Sequence, residues 1–114
     1  MAIAELSEDP KTALKGKPAA VVIFYASWCG DCEASEEYEK KLAEEFAGKA
    51  EFFRLDAVNL EEIADKYEVE HYPNWIFFSK ARALRHKLIE PMAEGEARNW
   101  LEMRLSDHRR NLRK

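Results

Sequence analysis

At 114 residues the chain is long enough for one domain built round a single core. With 46% hydrophobic and 35% charged residues it is not a disordered chain, and its formal net charge of −4 argues against general nucleic-acid binding. The longest apolar run, residues 18–26, is far short of the roughly 18 residues a membrane helix needs.

The start, "MAIAELSEDP", lacks the basic and long apolar regions of a secretory signal, so a cytoplasmic location is expected. "AIAEL" reads as a short edge strand. Ser7 is the expected N-cap of a short helix that tolerates Pro10 in its first turn and ends at Gly16. "AAVVIFYA" is continuously apolar, β-branched and aromatic, the pattern of a strand buried on both faces. After Cys29 the period changes. Ala34, Tyr38, Leu42 and Phe46 recur every fourth residue among acids and lysines, which predicts an amphipathic helix ending at Gly48.

Residues 50–58 read as a second long strand, and residues 60–68 as a helix with Asn59 as its N-cap. "NWIFFS" (74–79) and "ALRHKLIE" (83–90) read as two more strands joined by a hairpin. The loop between them, "SKARAL", has no glycine, so its turn must avoid positive φ or bear the strain. A last helix carries Ala97, Trp100, Leu101, Met103 and Leu105 on one side. Residues 106–114, "SDHRRNLRK", read as a basic tail that frays beyond a single domain over 1–105. Strands alternating with helices predict an α/β fold, a mixed sheet covered on both faces in a three-layer sandwich.

Both cysteines lie in "YASWCGDCEAS", between the buried strand and the amphipathic helix. Cys29 therefore falls at or near a helix N-terminus, where free backbone N–H groups and the positive end of the dipole favour a thiolate, the nucleophilic form. Cys32 lies about one turn deeper, close enough for a disulfide and more shielded. The spacing assigns Cys29 as the attacking thiol and Cys32 as the one that resolves the mixed disulfide. Zinc wants four ligands, and His71, His86 and His108 show no paired metal spacing with the cysteines. A structural disulfide would need an oxidising compartment. The strand-to-helix context favours a redox pair.

"VVIFYASWCGDC" and "ADKYEVEHYPNWIFF" together resemble the thioredoxin family over nearly the whole chain. The resemblance implies a thioredoxin-like α/β/α sandwich with a cis proline at Pro73. It also implies a substrate groove walled by Pro73 and the backbone of Tyr72, with Trp28 as a flat apolar patch for an extended partner peptide. The implied function is reduction of protein disulfides by dithiol–disulfide exchange. No bound cofactor is implied beyond the redox-active Cys29–Cys32 pair. The implied partners are disulfide-containing proteins and a flavoprotein thioredoxin reductase that supplies electrons, and the chain is expected to be a monomer with no nucleic-acid or membrane partner. The alternatives are an isomerase- or oxidase-like domain, or a binding module whose cysteines are non-catalytic or hold a metal.

The departures from the family carry expectations of their own. Asp31 stands where thioredoxins usually have Pro, and Glu33 where a Lys is common. With Gly30 they tune the pair: a carboxylate near Cys29 opposes its thiolate and makes the protein more reducing, by tens of millivolts. Ile23 stands where the family usually buries an Asp that helps move the proton of the resolving cysteine. No internal base is then evident, and the shuttle would pass to Asp31, Glu33 or water. Arg54, near where the family often has a Lys, is a candidate partner for a charge near the site but reads first as a solvent-facing strand residue, and the acidic helix reads mostly as a solvated face. His71 beside the proline reads as a loop histidine, and no function is assigned to His86 or His108.

Overall fold

The structure, a computed structural model, describes residues 3–112. β2 (Ala19–Tyr25) lies at the centre of its sheet because it is apolar throughout, and all but its last residue are buried. It pairs in parallel with β3 (Glu51–Asp56) and antiparallel with β4 (Asn74–Ser79). β1 (Ala4–Leu6) adds in parallel to the outer edge of β3. β5 (Arg82–Ala83) and β6 (Leu88–Ile89) take opposite ends of the free edge of β4, completing a six-stranded mixed sheet.

Alternate residues of a strand face opposite ways, so β2 serves two cores at once. Val21 and Ile23 pack with Phe52, Trp75 and Phe77 beneath α2 (Gly30–Glu45) and α4 (Glu94–Leu112). Val22 and Phe24 pack with Phe53, Leu55 and Ile76 against α1 (Pro10–Ala13), through the adjoining Leu14, and against α3 (Glu61–Lys66). Each such side chain, fully buried, contributes about 1.5–3 kcal/mol. The result is the expected α/β/α sandwich. Its rigid centre delivers the chain at Tyr25 to the sheet end where α2 begins.

Several local expectations are corrected. The cap of α1 is Asp9, not Ser7. Its carboxylate accepts the Lys11 N–H at 2.9 Å and also binds Lys66 and the Tyr67 hydroxyl, tying α1 to the end of α3. Asn59 does not cap α3. It is held back by Asp56, which accepts from its backbone and side-chain nitrogens. The strand expected over 83–90 is broken in two, with His86 at φ 65°. The cause is α4: Trp100 Nε1 (2.6 Å) and Arg104 (3.2 Å) both donate to the His86 carbonyl and draw it off the sheet edge.

The basic tail does not fray within the described residues. α4 continues to Leu112, because His108 is buried against Phe77 with Nδ1 2.6 Å from Ser79 Oγ. Residues 113 and 114 of that tail, like residue 2 of the edge strand, lie outside the described residues.

The β4–β5 turn bears the strain that its lack of glycine implied. Ser79 faces Arg82, and the two residues between them, Lys80 (φ 51°) and Ala81 (φ 64°), are both left-handed. This is the backbone of a two-residue hairpin that normally recruits Asn-Gly. A non-glycine residue there costs about 1–2 kcal/mol, and glycine returns about 0.5–1 kcal/mol of that through its looser unfolded state. Lys80 is exposed, so Lys80→Gly forfeits no packing. It is expected to stabilise the fold by about 0.5 kcal/mol, read as a raised urea midpoint at constant m-value.

Candidate active site

α2 starts abruptly where β2 leaves the core, and its cap is the first cysteine itself. Cys29 has extended backbone angles (φ −88°, ψ 111°), and its sulfur accepts the Cys32 N–H at 3.1 Å. A sulfur in the N-cap position thus satisfies one of the backbone donors a helix start leaves over, and it sits at the positive end of a 16-residue dipole. Cys29 is half-buried, while Cys32, on the inner face of the first turn, is 2% exposed. Both are free thiols. Burial, above all, pushes the Cys32 thiol up to about 12. Hydrogen bonding to Cys29 and the charges of Cys29 and Glu39 add to the rise, against a smaller opposing effect from the Ala26 backbone.

Across from the pair, the Tyr72–Pro73 peptide bond is cis, as the resemblance implies. The Cys29 thiol lies 3.6 Å from the Tyr72 carbonyl, a contact across 43 residues of sequence that exists only because β4 is the antiparallel neighbour of β2. Trp28 is 71% exposed, its ring edge-on to Tyr72 at 5.9 Å. Trp28, Cys29, Gly30, Asp31, Glu70, His71, Tyr72 and Glu90 line one open groove of about 430 Å³. The structure therefore brings Cys29, Cys32, Gly30, Asp31, Trp28 and Tyr72 together, while Pro73 is buried behind Tyr72 and does not line the groove. Glu33 is exposed in the first turn of α2 and does not line the groove.

His71 stands at the rim with Nδ1 3.9 Å from Glu90 Oε1. With Asp31, Glu70 and Glu90, the rim carries more acid than base. Among the described residues no group of three or more His, Cys, Asp or Glu is placed to hold a metal ion, and no helix is long and apolar enough to cross a membrane.

Two expectations about the floor of the site are overturned. Ala34 is exposed, and the buried face of α2 is instead Cys32, Ser35, Glu39 and Leu42. Glu39, expected on a solvated face, is 1% exposed. Nor does Arg54 point to solvent. It stands beside Ile23 in the β2–β3 register, its guanidinium 4.0 Å above the Tyr25 ring, with Nη1 3.3 Å from Glu36 and Nε 3.6 Å from Glu39. A buried acid therefore stands about two turns along α2 from Cys32, on the helix that faces Ile23, joined to the Cys32 carbonyl through Ser35. The signal was available: residues 32, 35, 39, 42 and 46 also follow helical spacing, and only the polarity of Ser35 and Glu39 hid them.

Comparison with known proteins gives the same family. The thioredoxin family model matches residues 5–102. The chain is 35% identical over 81 residues to thioredoxin-1 of Drosophila melanogaster, an alignment covering 65% of this chain and 76% of that one. It is 35% identical over 72 residues to thioredoxin-2 of Saccharomyces cerevisiae, covering 63% and 68%. The solved structure of oxidised thioredoxin from Plasmodium falciparum superposes with a TM-score of 0.78 over 91% of this chain and 99% of that one, at 14% identity, a likeness of fold. The chain belongs to the thioredoxin family and is a thiol-disulfide oxidoreductase.

Proposed function

We propose that this oxidoreductase works in the reducing direction on protein disulfides, with Cys29 attacking and Cys32 resolving. The observation that carries the reading is the asymmetry of the pair: one sulfur caps a helix at the groove, the other is buried behind it with its proton held tightly. The Cys29 thiolate attacks one sulfur of the substrate disulfide, and the other leaves as a thiolate with the electron pair of the broken bond. Cys32, having lost its proton, attacks Cys29 Sγ and expels the second substrate thiolate. The substrate gains two electrons and two protons, and the protein is left as the Cys29–Cys32 disulfide.

A flavoprotein thioredoxin reductase returning two electrons would close the cycle, and no further cofactor enters it. Trp28 and Tyr72, backed by the buried Pro73, are the proposed docking surface for an extended peptide. The acidic rim favours neutral or basic segments around the target disulfide. A reducing compartment such as the cytoplasm is the setting this cycle calls for.

Asp31, which shares the groove with Cys29, supports the direction. Removing a charge at a helix terminus is worth about 0.3–1 kcal/mol, and 1.4 kcal/mol corresponds to about 30 mV for this two-electron couple. Equilibration with defined thiol–disulfide buffers, read by mass after alkylation, is expected to give a potential at or below about −270 mV. Asp31→Asn is expected to raise it by about 10–20 mV. A wild-type value near −180 mV would make the domain an isomerase or oxidase instead.

A further inference from the structure

The exchange reaction needs somewhere for the Cys32 proton to go, and the floor of the site holds a buried carboxyl group with unused capacity. Among the described residues Glu39 Oε1 has no hydrogen-bond partner, and Arg54 Nε, also without one, stands 3.6 Å away. The two charges face each other outside hydrogen-bond range, so Oε1 is open to a proton.

The other oxygen is already held. Ser35 Oγ lies 2.5 Å from Glu39 Oε2 and 3.0 Å from the Cys32 carbonyl oxygen. Oε2 can accept from Ser35 whether Glu39 is ionised or carries a proton on Oε1. The hydroxyl thus ties the carboxyl to the turn of α2 that holds the resolving cysteine and leaves Oε1 as the open position.

The carboxyl also has a way out. Glu39 forms the inner end of a cleft of about 170 Å³, walled by Ile3, Glu5, Glu36, Lys40 and Arg54. That cleft opens between β1, β3 and α2 and shares no lining residue with the substrate groove.

We propose that Glu39 accepts the proton of Cys32 as the mixed disulfide is resolved, and passes it to solvent through the β1–β3–α2 cleft, with Ser35 holding the other carboxyl oxygen. The proposal rests on the dithiol–disulfide reading above. In the step, the Cys32 S–H bond breaks, the proton crosses to Glu39 Oε1 through a water molecule, and the Cys32 sulfur keeps the electron pair that displaces the substrate thiolate from Cys29. No redox equivalent beyond the substrate disulfide is required.

The surroundings poise the group. Burial raises the Glu39 pKa above the usual carboxylate range, with Glu36 adding to the rise, while Ser35, Arg54 and Lys40 oppose it. Tyr38, on the same helix, and Tyr25, stacked on Arg54 and donating to Glu5, are protonated at neutral pH as phenols ordinarily are, and burial with nearby carboxylates lifts both further, to about 12. Ile23 and Trp75 add no charge.

The test separates the two chemical steps. Reduced protein mixed with one equivalent of 4,4′-dithiodipyridine releases one thiopyridone as Cys29 attacks and a second as Cys32 resolves. Glu39→Gln is expected to leave the first release within two-fold of wild type. The second should slow ten-fold or more between pH 6 and 8, a conservative share of what a general base contributes. It should also acquire a tenfold rise per pH unit as hydroxide takes over. Glu39→Asp should recover part of the loss.

A second release at the wild-type rate in Glu39→Gln overturns the proposal. Absence of a second release in the wild type would instead overturn the dithiol reading itself. If Glu39→Gln does not fold, wild-type protein labelled with ¹³C-glutamate decides the matter. The Glu39 carboxyl shift and the rate of the second release should titrate with one midpoint, and midpoints more than about one pH unit apart overturn the assignment.

Discussion

Cys32→Ser stops the protein half-way through its reaction: the first attack on a protein disulfide proceeds, and the mixed disulfide on Cys29 accumulates instead of turning over. The size of the effect comes from what Cys32 supplies. A well-oriented neighbouring group reaches effective molarities of about 10⁵–10⁸ M, whereas a cell offers external thiols at millimolar concentrations. Even with most of that advantage lost to the high pKa of Cys32, resolution should slow at least a thousand-fold. Cys29→Ser removes the first step as well, so no mixed disulfide forms. Mass spectrometry after incubation with a disulfide-bonded peptide reads both results. A Cys32→Ser protein that still turns over would mean a one-thiol mechanism. A Cys29→Ser protein that captures the peptide would reverse the roles that α2 sets by capping itself with Cys29.

The features legible in the sequence were those whose residue type and structural job agree. β2 is apolar and central, the Cys pair marks the strand-to-helix junction, and Tyr72-Pro73 opens β4. The features that were missed are those where tertiary contact overrode the local pattern. Residues 83–90 alternate like one strand, but two donors from α4, 14 and 18 residues further on, take the His86 carbonyl. Residues 106–112 look like a solvated end, yet one residue, His108, finds Phe77 and Ser79 and prolongs the helix. Glu39 was hidden by its type. One acid among the seven of α2 reads as surface, and only the register of α2 over Ile23 and Arg54 shows that it lies inside. In each case the deciding partner is remote in sequence.

The burial of Cys32 makes a further quantitative demand. At pH 8 an ordinary thiol with a pKa of about 8.5 is roughly a quarter ionised, whereas a thiol held near 12 is ionised to about one part in ten thousand. That is a deficit of about three orders of magnitude. The more basic thiolate is intrinsically more nucleophilic, with a Brønsted coefficient of about 0.4–0.5, which returns roughly 30-fold. Ionisation therefore wins by about a hundred-fold, before the 2% exposure of the side chain adds a steric barrier. In the folded dithiol protein, iodoacetamide should modify Cys32 about a hundred times more slowly than in the same chain unfolded in urea, with an added unstructured thiol peptide in both samples as the standard for the reagent. The pH dependence gives the sign. A thiol whose folded pKa is raised should keep gaining about tenfold in rate for each unit of pH well beyond 9, where an ordinary thiol has levelled off. A plateau near pH 9 would mean that burial does not hold the proton on Cys32, and resolution would then need no acceptor inside the fold.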